Sequence, residues 1–181
     1  MEFSSTAAES CPQLKWDRIG QTQQTKFIQT RWDTPKHLYA AGGCDDDEVL
    51  STVERFDGGS GSWELVAPMP DVRYHHAAGV VSGRLYVLGG SNDKYKTLSD
   101  VHCYDEEKNS WEAVTSMSCA RCDFGVGVLD DRLYAVGGWD ASNLALSSCE
   151  VYDVVSDSWQ AVASMSSHRS GHGVAVLDGR L

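Results

Sequence analysis

The sequence predicts an all-β fold, an incomplete β-propeller of about three four-stranded antiparallel blades. The first observation behind this prediction is an internal repeat, since Trp63, Trp111 and Trp159 lie 48 residues apart. The second is that every repeat holds four short segments of strand character, separated by turn-forming residues. The third is that residues 38–181 show no sustained 3.6-residue period, which disfavours a helical repeat of similar length.

Several other residue types recur at the same step as the tryptophans. These columns are Met69, Met117 and Met165; Arg73, Arg121 and Arg169; Leu85, Leu133 and Leu181; and Phe56, Tyr104 and Tyr152. Gly-Gly pairs at 42–43, 89–90 and 137–138 follow at steps of 47 and 48. The step of 47 arises because Phe56 follows Gly43 by 13 residues, whereas the equivalent distance in the other two repeats is 14. Loops tolerate such a deletion best, so the segment between Gly43 and Phe56 is predicted to be a loop.

The four segments of a repeat follow one another in a fixed order. The first ends in Gly-Gly, the second ends in an aromatic residue and an acid, the third starts at the tryptophan, and the fourth follows the arginine. In the second repeat they read LYVLGG (85–90), VHCYD (101–105), WEAV (111–114) and DFGVGVL (123–129). Four such strands with tight turns between them are typical of one propeller blade.

The residue types that recur suit a blade for physical reasons. Gly-Gly permits backbone conformations that a Cβ atom would block. The small fourth segment suits the narrow central channel of a propeller, and the Trp and Tyr side chains fill the space between twisted sheets. The recurring arginine has five donors, which predicts that it ties neighbouring loops together as scaffold before it serves any ligand.

These motifs resemble the Kelch repeat of the BTB-Kelch (Kelch-like) family. The resemblance rests on LYxxGG, then VExYD, then Trp, Met and Arg, and finally GHGVAVL, and it covers residues 38–181. It implies a protein-binding module that is not an enzyme. Its leading interpretation is substrate recognition for a cullin-3 ubiquitin-ligase adaptor, with cullin-3 contacted only through a BTB module that these residues do not include.

Two alternatives to the adaptor role stay open. One is binding to actin or another cytoskeletal scaffold, as the resemblance to some Kelch proteins implies. The other, more remote, is a propeller enzyme similar to galactose oxidase. That enzyme would need Tyr and His copper ligands that converge at one end of the channel.

The repeats also predict the domain organisation. Residues 1–36 form a flexible N-terminal and linker segment, and residues 37–181 form the Kelch repeats. The repeats span 38–84, 85–132 and 133–180, and a fourth starts at Leu181. The resemblance implies six blades for a family propeller, so about three indicate a fragment. An arc of three has two open ends that could self-associate, and two copies forming one six-bladed ring is the less favoured alternative.

Composition and charge exclude other classes of partner. A net charge of −11 and a pI near 4.8 argue against nucleic acid and against an anionic membrane surface. The sequence contains no run of about 18 apolar residues, the length that a membrane-spanning helix requires. The N-terminus has no secretory signal pattern. Six cysteines without a common position in the repeats predict free thiols in a reducing compartment, which favours a cytoplasmic location.

Motifs for catalysis and for cofactors are missing from the sequence. It contains no Gly-x-Ser-x-Gly, no GxxxxGK and no His-Glu-x-x-His. Cys119 and Cys122 have the spacing of metal ligands, but a zinc site would need a second pair, so we expect a coincidence. His172 aligns with His76 and Phe124, and we expect this column to pack in the core. The prediction is no catalytic residue, no metal and no cofactor.

The candidate partner-binding residues are those that vary between otherwise matching repeats, because equivalent loops of a propeller converge at one channel mouth. They follow the Gly-Gly pair or the repeat arginine: Cys44, Asp46, Tyr74, His75, Ser91, Asp93, Cys122, Asp123, Trp139 and Ser170. The resemblance implies that these loop positions contact a protein or peptide substrate. No Arg or Lys occupies them, which disfavours an acidic partner peptide.

The loop at 44–48 reads Cys-Asp-Asp-Asp-Glu and adds negative charge. Two interpretations of this run stay open. It is either a solvated loop, which is the common fate of such runs, or part of a face that prefers a basic or aromatic-bearing peptide. In the second case Trp139 is the anchor, because Trp dominates interface hot spots.

Overall fold

A computed structural model describes residues 37–177, and this part of the chain is built from β-strands. In chain order the strands are β1 (His37–Ala41), β2 (Val53–Asp57), β3 (Ser62–Val66), β4 (Ala77–Val81), β5 (Arg84–Leu88), β6 (Val101–Asp105), β7 (Ser110–Val114), β8 (Gly125–Leu129), β9 (Arg132–Val136), β10 (Cys149–Asp153) and β11 (Ser158–Val162). All of them lie in one compact unit, Pro35–Leu181. None of the described residues forms a helix long and apolar enough to cross a membrane.

The eleven strands form three antiparallel sheets. The first sheet has the order β1-β2-β3, the second β4-β5-β6-β7, and the third β8-β9-β10-β11. Each neighbouring pair runs antiparallel and in unbroken register. The predicted all-β incomplete propeller is confirmed, with blades of three, four and four strands instead of four in each.

The sheets are offset by one strand from the sequence repeats. The segments after Arg73 and Arg121, each predicted as the last strand of its own repeat, pair with the first strand of the next repeat. The turns of these hairpins have two residues of positive φ, Ser82 (49°) with Gly83 (74°) and Asp130 (50°) with Asp131 (53°). Such a pair of φ values is typical of a type I′ turn, whose twist matches that of the strands. One blade therefore joins two sequence repeats, which corrects the expectation of one blade per repeat.

The strands β4 and β8 lie at the same edge of their sheets and contact each other. Little space separates them. A Cβ atom added at Gly79 would lie 2.7 Å from Leu133 Cδ2 and 3.2 Å from Val126 Cγ1, and real Cβ contacts essentially never fall below 3.0 Å. The small residues of this segment therefore allow the innermost strands to approach closely, as the sequence predicted.

The equivalent segment after Arg169 is not a strand. The segment GHGVAVL (171–177), predicted as the fourth strand of its repeat, belongs to none of the strands among the described residues. A strand requires a hydrogen-bonded neighbour, and β4 and β8 find theirs in the first strand of the following repeat. Val174 still takes the place of an innermost strand, because a Cβ atom at Gly125 would collide with its side chain.

Two apolar cores hold neighbouring sheets together. The larger core lies between the second and third sheets and includes Leu88, Leu133 and Tyr152. The smaller core lies between the first and second sheets and includes Val53 and Val87. These five side chains are at most 2% exposed. Burial of a large apolar side chain stabilises a fold by roughly 1.5–3 kcal/mol, so the two cores are the main attachment between blades.

The recurring arginines add polar ties between blades. Arg73 and Arg121 are 0% and 1% exposed. Each donates to the carbonyl of the first glycine in the next Gly-Gly pair, Arg73 to Gly89 O at 3.1 Å and Arg121 to Gly137 O at 2.9 Å. The predicted scaffold role of the arginine column is therefore confirmed for these two residues.

Candidate partner-binding site

Loops at one end of the sheets are joined to each other through their backbones. Tyr74 and Ser91 exchange two hydrogen bonds of 3.0 and 2.8 Å, and Cys122 and Trp139 exchange two bonds of the same lengths. In both pairs the first residue follows a repeat arginine and the second follows the next Gly-Gly pair. The two kinds of variable loop position therefore lie side by side instead of scattering over the surface.

A second row of backbone bonds connects one loop to the next. Asp123 N donates to His75 O at 3.0 Å, and Gly171 N donates to Asp123 O at 2.7 Å. The three residues share one column, and their φ values of 51°, 52° and 60° are all left-handed. His75 Nδ1 also lies 3.4 Å from Asp123 Oδ2. A left-handed φ is uncommon for residues other than glycine, and such conformations cluster at ligand clamps and switch regions.

The joined loops enclose a recess that we call the loop cavity, with a volume of about 390 Å³. Its lining consists of Tyr74, His75, Ser91, Tyr95, Thr97, Cys122, Asp123, Trp139 and Asn143. Trp139 is 37% exposed and Tyr95 is 85% exposed. Both rings therefore present apolar surface that a partner could cover.

A second recess of about 450 Å³, which we call the acidic cavity, lies beside the first. Its lining consists of Cys44, Asp45, Asp46, Asp47, Glu48, Val49, Tyr74, Asn92, Asp93 and Tyr95. The Asp45 carboxylate accepts the backbone N–H groups of Glu48 (2.8 Å) and Asp47 (2.9 Å), and these two bonds lower the pKa of Asp45. Five carboxylates in one recess create a negative potential that attracts cations.

Tyr74 lines both cavities, as does Tyr95. Burial raises the pKa of the Tyr74 hydroxyl, and the neighbouring Tyr95, Cys122, Cys44 and Asp123 raise it further. The hydroxyl therefore stays protonated at neutral pH, since the ordinary tyrosine pKa is already about 10. It can donate a hydrogen bond to a group bound in either cavity.

The structure brings nine of the ten predicted site residues to these two cavities. Tyr74, His75, Ser91, Cys122, Asp123 and Trp139 line the loop cavity, and the acidic cavity adds Cys44, Asp46 and Asp93. Ser170 lines neither of them. Its equivalents Tyr74 and Cys122 are each paired with the first residue after the next Gly-Gly pair, and for Ser170 that residue is not among those described.

The cavities also contain residues to which the sequence did not point. Tyr95 and Asn143 share a column and have left-handed φ values of 60° and 57°. Each lies in a turn that begins with an amide or acid, and the side-chain oxygens of Asn92 and Asp140 each accept two backbone N–H groups at 2.7–3.0 Å. Asn92 and Asp140 were the sequence signal that could have predicted these positions, because an Asx turn at such a residue folds the loop back over the cavity.

One cluster in the described part of the chain combines metal-binding residue types. Asp71, Asp100 and His102 place their ligand atoms within 4.8 Å of one another. Arg73 contacts two members of this cluster. Its Nη2 donates to Asp100 Oδ2 at 2.6 Å and lies 3.1 Å from His102 Nδ1. The guanidinium supplies the positive charge that balances the carboxylate, so the cluster is part of the scaffold.

The cysteines of the described part agree with the free-thiol prediction. Cys44, Cys103, Cys119, Cys122 and Cys149 are all free, and Cys11 lies outside the described residues. Cys119 and Cys122, the pair with metal-ligand spacing, form no disulfide. Burial raises the pKa of the Cys119 thiol, which keeps it in the less reactive protonated form.

Several curated proteins match parts of the chain. It is 46% identical over 55 residues to the influenza virus NS1A-binding protein homolog of Mus musculus, and 40% identical over 55 residues to Kelch-like protein 15 of Danio rerio. It is 28% identical over 88 residues to Kelch-like protein 33 of Homo sapiens. These matches cover 30%, 30% and 49% of this chain, but only 9%, 9% and 16% of the relatives.

Two further comparisons concern the fold and the family. The solved structure of YjhT is similar with a TM-score of 0.60 over 72% of this chain and 52% of that chain, at 16% sequence identity, which supports the fold alone. The profile of the KLHDC2/KLHL20/DRC7 Kelch-repeats domain matches residues 13–181, starting inside the predicted linker segment. With nearly the whole chain matched and its described strands arranged as propeller blades, this protein belongs to the Kelch-repeat domain family.

Proposed function

We propose that this chain is the substrate-recognition part of a cullin-3 ubiquitin-ligase adaptor in the cytoplasm, and that the loop cavity and the acidic cavity hold its protein substrate. As a Kelch domain similar to Kelch-like proteins, it is a protein-binding module. The observation that carries the proposal is the meeting of variable loops around two adjoining cavities. The ligase role is supported by the resemblance to BTB-Kelch proteins, in which a separate BTB module would contact cullin-3.

The lining of the two cavities favours a basic segment that also carries an apolar or aromatic residue. Five carboxylates line the acidic cavity, and no Lys or Arg is among the described residues that line either cavity. A Lys or Arg of the partner gains charge-assisted hydrogen bonds from the carboxylates and a cation–π contact with Tyr74 or Tyr95. Trp139 offers an apolar anchor next to them. Both volumes lie in the range of roughly 300–1,000 Å³ that is usual for ligand sites.

The proposal assigns no catalytic step to these cavities. Cys122, His75 and Asp123 share the loop cavity, and His75 contacts Asp123. A cysteine nucleophile would also need a hydrogen bond to its base. No such bond joins Cys122 to His75 in the described part of the chain, so the geometry favours binding.

Replacing the anchor tests the binding site. In Trp139→Ala, we expect partner affinity to fall by roughly 30-fold or more, as for a hot-spot residue, while the free energy of unfolding changes by less than about 1 kcal/mol. The matched control is Leu65→Ala, because Leu65 is 70% exposed on β3, outside both cavities. Affinity is measured by calorimetry with synthetic basic, neutral and acidic peptides that each contain one tryptophan. Preference for the acidic peptide, or equal loss of affinity in both variants, contradicts the site.

A cellular experiment separates recognition from the ligase role. Proteins captured by the wild-type chain but not by Trp139→Ala are identified by mass spectrometry, and their abundance is then compared with and without depletion of cullin-3. The adaptor role predicts that these proteins accumulate when cullin-3 is depleted. Unchanged abundance removes the ligase role and leaves the protein-binding role intact.

A further inference from the structure

The loop cavity contains a buried hydroxyl that the scaffold does not use. Ser91 lines this cavity and is only 6% exposed. Its backbone N–H donates to Tyr74 O at 2.8 Å, and its carbonyl accepts the Tyr74 N–H at 3.0 Å. Its hydroxyl, in contrast, forms no hydrogen bond with any of residues 37–177. Native proteins bury few polar side chains without a partner, so the Ser91 hydroxyl indicates a bound group that hydrogen-bonds to it.

Three aromatic side chains line the same cavity, namely Tyr74, Tyr95 and Trp139. The Tyr74 ring pairs with the ring of His75, with a centroid distance of 4.6 Å and an interplanar angle of 53°. The rings of Tyr95 and Trp139 are 85% and 37% exposed, and they pair with no aromatic ring of residues 37–177. The face of an aromatic ring carries negative partial charge, so rings around a recess attract a cation.

One carboxylate of the loop cavity has no basic partner in the described part of the chain. Asp123 Oδ2 lies 3.4 Å from Nδ1 of His75, whose side chain is 53% exposed, and Asp123 forms no ion pair with a Lys or Arg of residues 37–177. Lys94 and Lys96 flank Tyr95 in the sequence but line neither cavity. The neighbouring acidic cavity adds five carboxylates, which raise the local concentration of cationic ligands.

The lining of the loop cavity suits arginine better than lysine. A guanidinium is planar and weakly hydrated, stacks on aromatic faces and carries five N–H donors. The cavity offers aromatic rings for stacking, the Asp123 carboxylate for a charge-assisted pair, and the hydroxyls of Ser91 and Thr97 as further acceptors. A lysine ammonium is a strongly hydrated point charge that gains less from flat rings.

We infer that an arginine side chain of the partner protein enters the loop cavity. Its guanidinium stacks on the aromatic lining, pairs with Asp123 and donates to the Ser91 hydroxyl, while its aliphatic stem packs on Trp139. This inference rests on the proposed function, because it specifies which basic residue of the partner segment the loop cavity selects. It leaves the acidic cavity to either lysine or arginine.

A peptide series that changes one side chain at a time tests the inference with the full chain. The starting peptide is a basic peptide with one tryptophan and with lysine at every basic position. Each lysine in turn is replaced by arginine or by citrulline, which keeps a planar group with N–H donors but has no charge. At one position we expect arginine to bind roughly 10-fold more tightly than lysine or citrulline. Calorimetry measures these affinities.

Substitutions of aspartate decide which cavity holds the arginine. Asp123→Asn should reduce the preference for arginine over lysine to less than about 3-fold. The matched control is Asp131→Asn, because Asp131 has a similar left-handed φ (53° against 51°) and lies in the exposed turn between β8 and β9. Asp46→Asn changes the acidic cavity alone. It should weaken the lysine and arginine peptides equally and leave the preference unchanged.

Two substitutions of Tyr95 test the contribution of its ring. Tyr95→Leu removes the ring and should weaken the arginine peptide by roughly 2- to 5-fold, as expected for an exposed cation–π contact. Tyr95→Phe keeps the ring and should retain most of the affinity. Because Tyr95 is 85% exposed, we expect both variants to fold like the wild type.

Three results would overturn the inference. Equal affinities for the lysine and arginine peptides, or a citrulline peptide that binds as tightly as arginine, remove it and leave the basic-peptide site intact. Loss of the arginine preference in Asp46→Asn but not in Asp123→Asn would place the guanidinium in the acidic cavity instead. If none of the basic peptides binds, both the proposed function and this inference are wrong.

Discussion

The second and third sheets bury an arginine at the same place but neutralise it differently. Arg121 donates to Glu150 through Nε and Nη2 at 3.1 and 2.9 Å, and the Glu150 side chain is 3% exposed. Arg73 donates to Asp100 at 2.6 Å, and the Asp100 side chain is 36% exposed. His102, which takes the position of Glu150, contacts Arg73 Nη2 through a ring nitrogen at 3.1 Å.

The difference shows which part of this contact the fold requires. In both sheets the guanidinium reaches a glycine carbonyl across the blade interface, while the side chains that balance its charge vary. The third-sheet site is sealed, and the Glu150 carboxylate accepts two further hydrogen bonds from Ser118. The second-sheet site is half-open, and Arg73 Nε has no hydrogen-bond partner among residues 37–177. A sealed ion pair costs more to break than a hydrated one, because the remaining charge cannot recover water.

The largest expected effect comes from removing one charge of the sealed pair. Arg121→Met leaves Glu150 buried and unpaired, so we expect a loss of about 3–5 kcal/mol in the free energy of unfolding. Arg73→Met leaves Asp100 able to hydrate, so we expect a loss of only about 1–3 kcal/mol. Urea denaturation of both variants measures the difference. Equal losses would contradict the contrast between a sealed and a half-open site.

A double variant tests the cause of the larger loss. Arg121→Met/Glu150→Leu removes both charges, and it should recover most of the stability, because paired apolar replacements of buried ion pairs are often neutral. No recovery would show that the lost contacts of Arg121 with backbone carbonyls, including Ser148 O at 2.9 Å, dominate instead.

A smaller change in the free energy of unfolding is expected from a change of pH, and it arises at the interface of the first two sheets. Burial, and then the charge of Arg73, lower the pKa of His76 from 6.5 to about 4 and also lower the pKa of His102. Both histidines stay neutral in the fold while the unfolded chain takes up protons near pH 6.5. Stability is therefore complete above pH 6.5 and falls with decreasing pH, by up to about 1.4 kcal/mol per pH unit for each proton.

His76→Phe isolates one of these protons. Phenylalanine occupies the same column at Phe124, where it is buried, so the side chain fits the scaffold. Between about pH 6.5 and 5.5, carboxylates with ordinary pKa values near 4 remain mostly ionised. In this range the free energy of unfolding of the variant should fall less steeply with decreasing pH, by up to the contribution of one proton. Thermal unfolding in a series of buffers measures the slope. An unchanged slope would show that His76 does not contribute to acid sensitivity.

The smallest change in the free energy of unfolding is expected at Asp157, whose side chain makes the same two hydrogen bonds that Asn109 makes in the second sheet. Asp157 Oδ1 accepts the Tyr152 hydroxyl at 2.6 Å and Thr115 N at 2.9 Å. Asn109 makes the same two kinds of contact in the second sheet. Asp157→Asn introduces the residue that makes these contacts in the second sheet, so it should lower the free energy of unfolding by less than about 1 kcal/mol. Asp157→Ala removes the acceptor and should lower it by about 1–2 kcal/mol. Comparable losses from both would mean that the charge of Asp157 matters as well as its acceptor.

The sequence was informative wherever a residue serves the same contact in each repeat. The second strands were predicted at their observed bounds, and the third strands to within one residue, because their alternation and flanking turns are local properties. The arginine column was predicted to be scaffold because a ligand site does not need one copy per blade. The one-residue deletion between Gly43 and Phe56 predicted a loop there, and the structure has a loop in this segment that ends where β2 begins at Val53.

The sequence was misleading wherever a feature depends on a neighbour. Residues 173–177 have the composition of β4 and β8, but a strand exists only where a second strand pairs with it. Ser170 has the position of Tyr74 and Cys122 but lines neither cavity, and its role in partner binding stays a prediction. The exposed ring of Tyr95 over both cavities was missed, since its place depends on how an Asx turn folds the loop.

By itself, the sequence determined the repeat, the strand content, the positions of the variable loops and the residues that hold the blades together. These follow from short-range patterns, namely alternation, turn formers and residue types that recur at a fixed step. The tertiary structure decided which arginine is sealed from water and which variable residues meet in one cavity. Those outcomes depend on contacts between segments about 16 to 51 residues apart, and no local pattern specifies them.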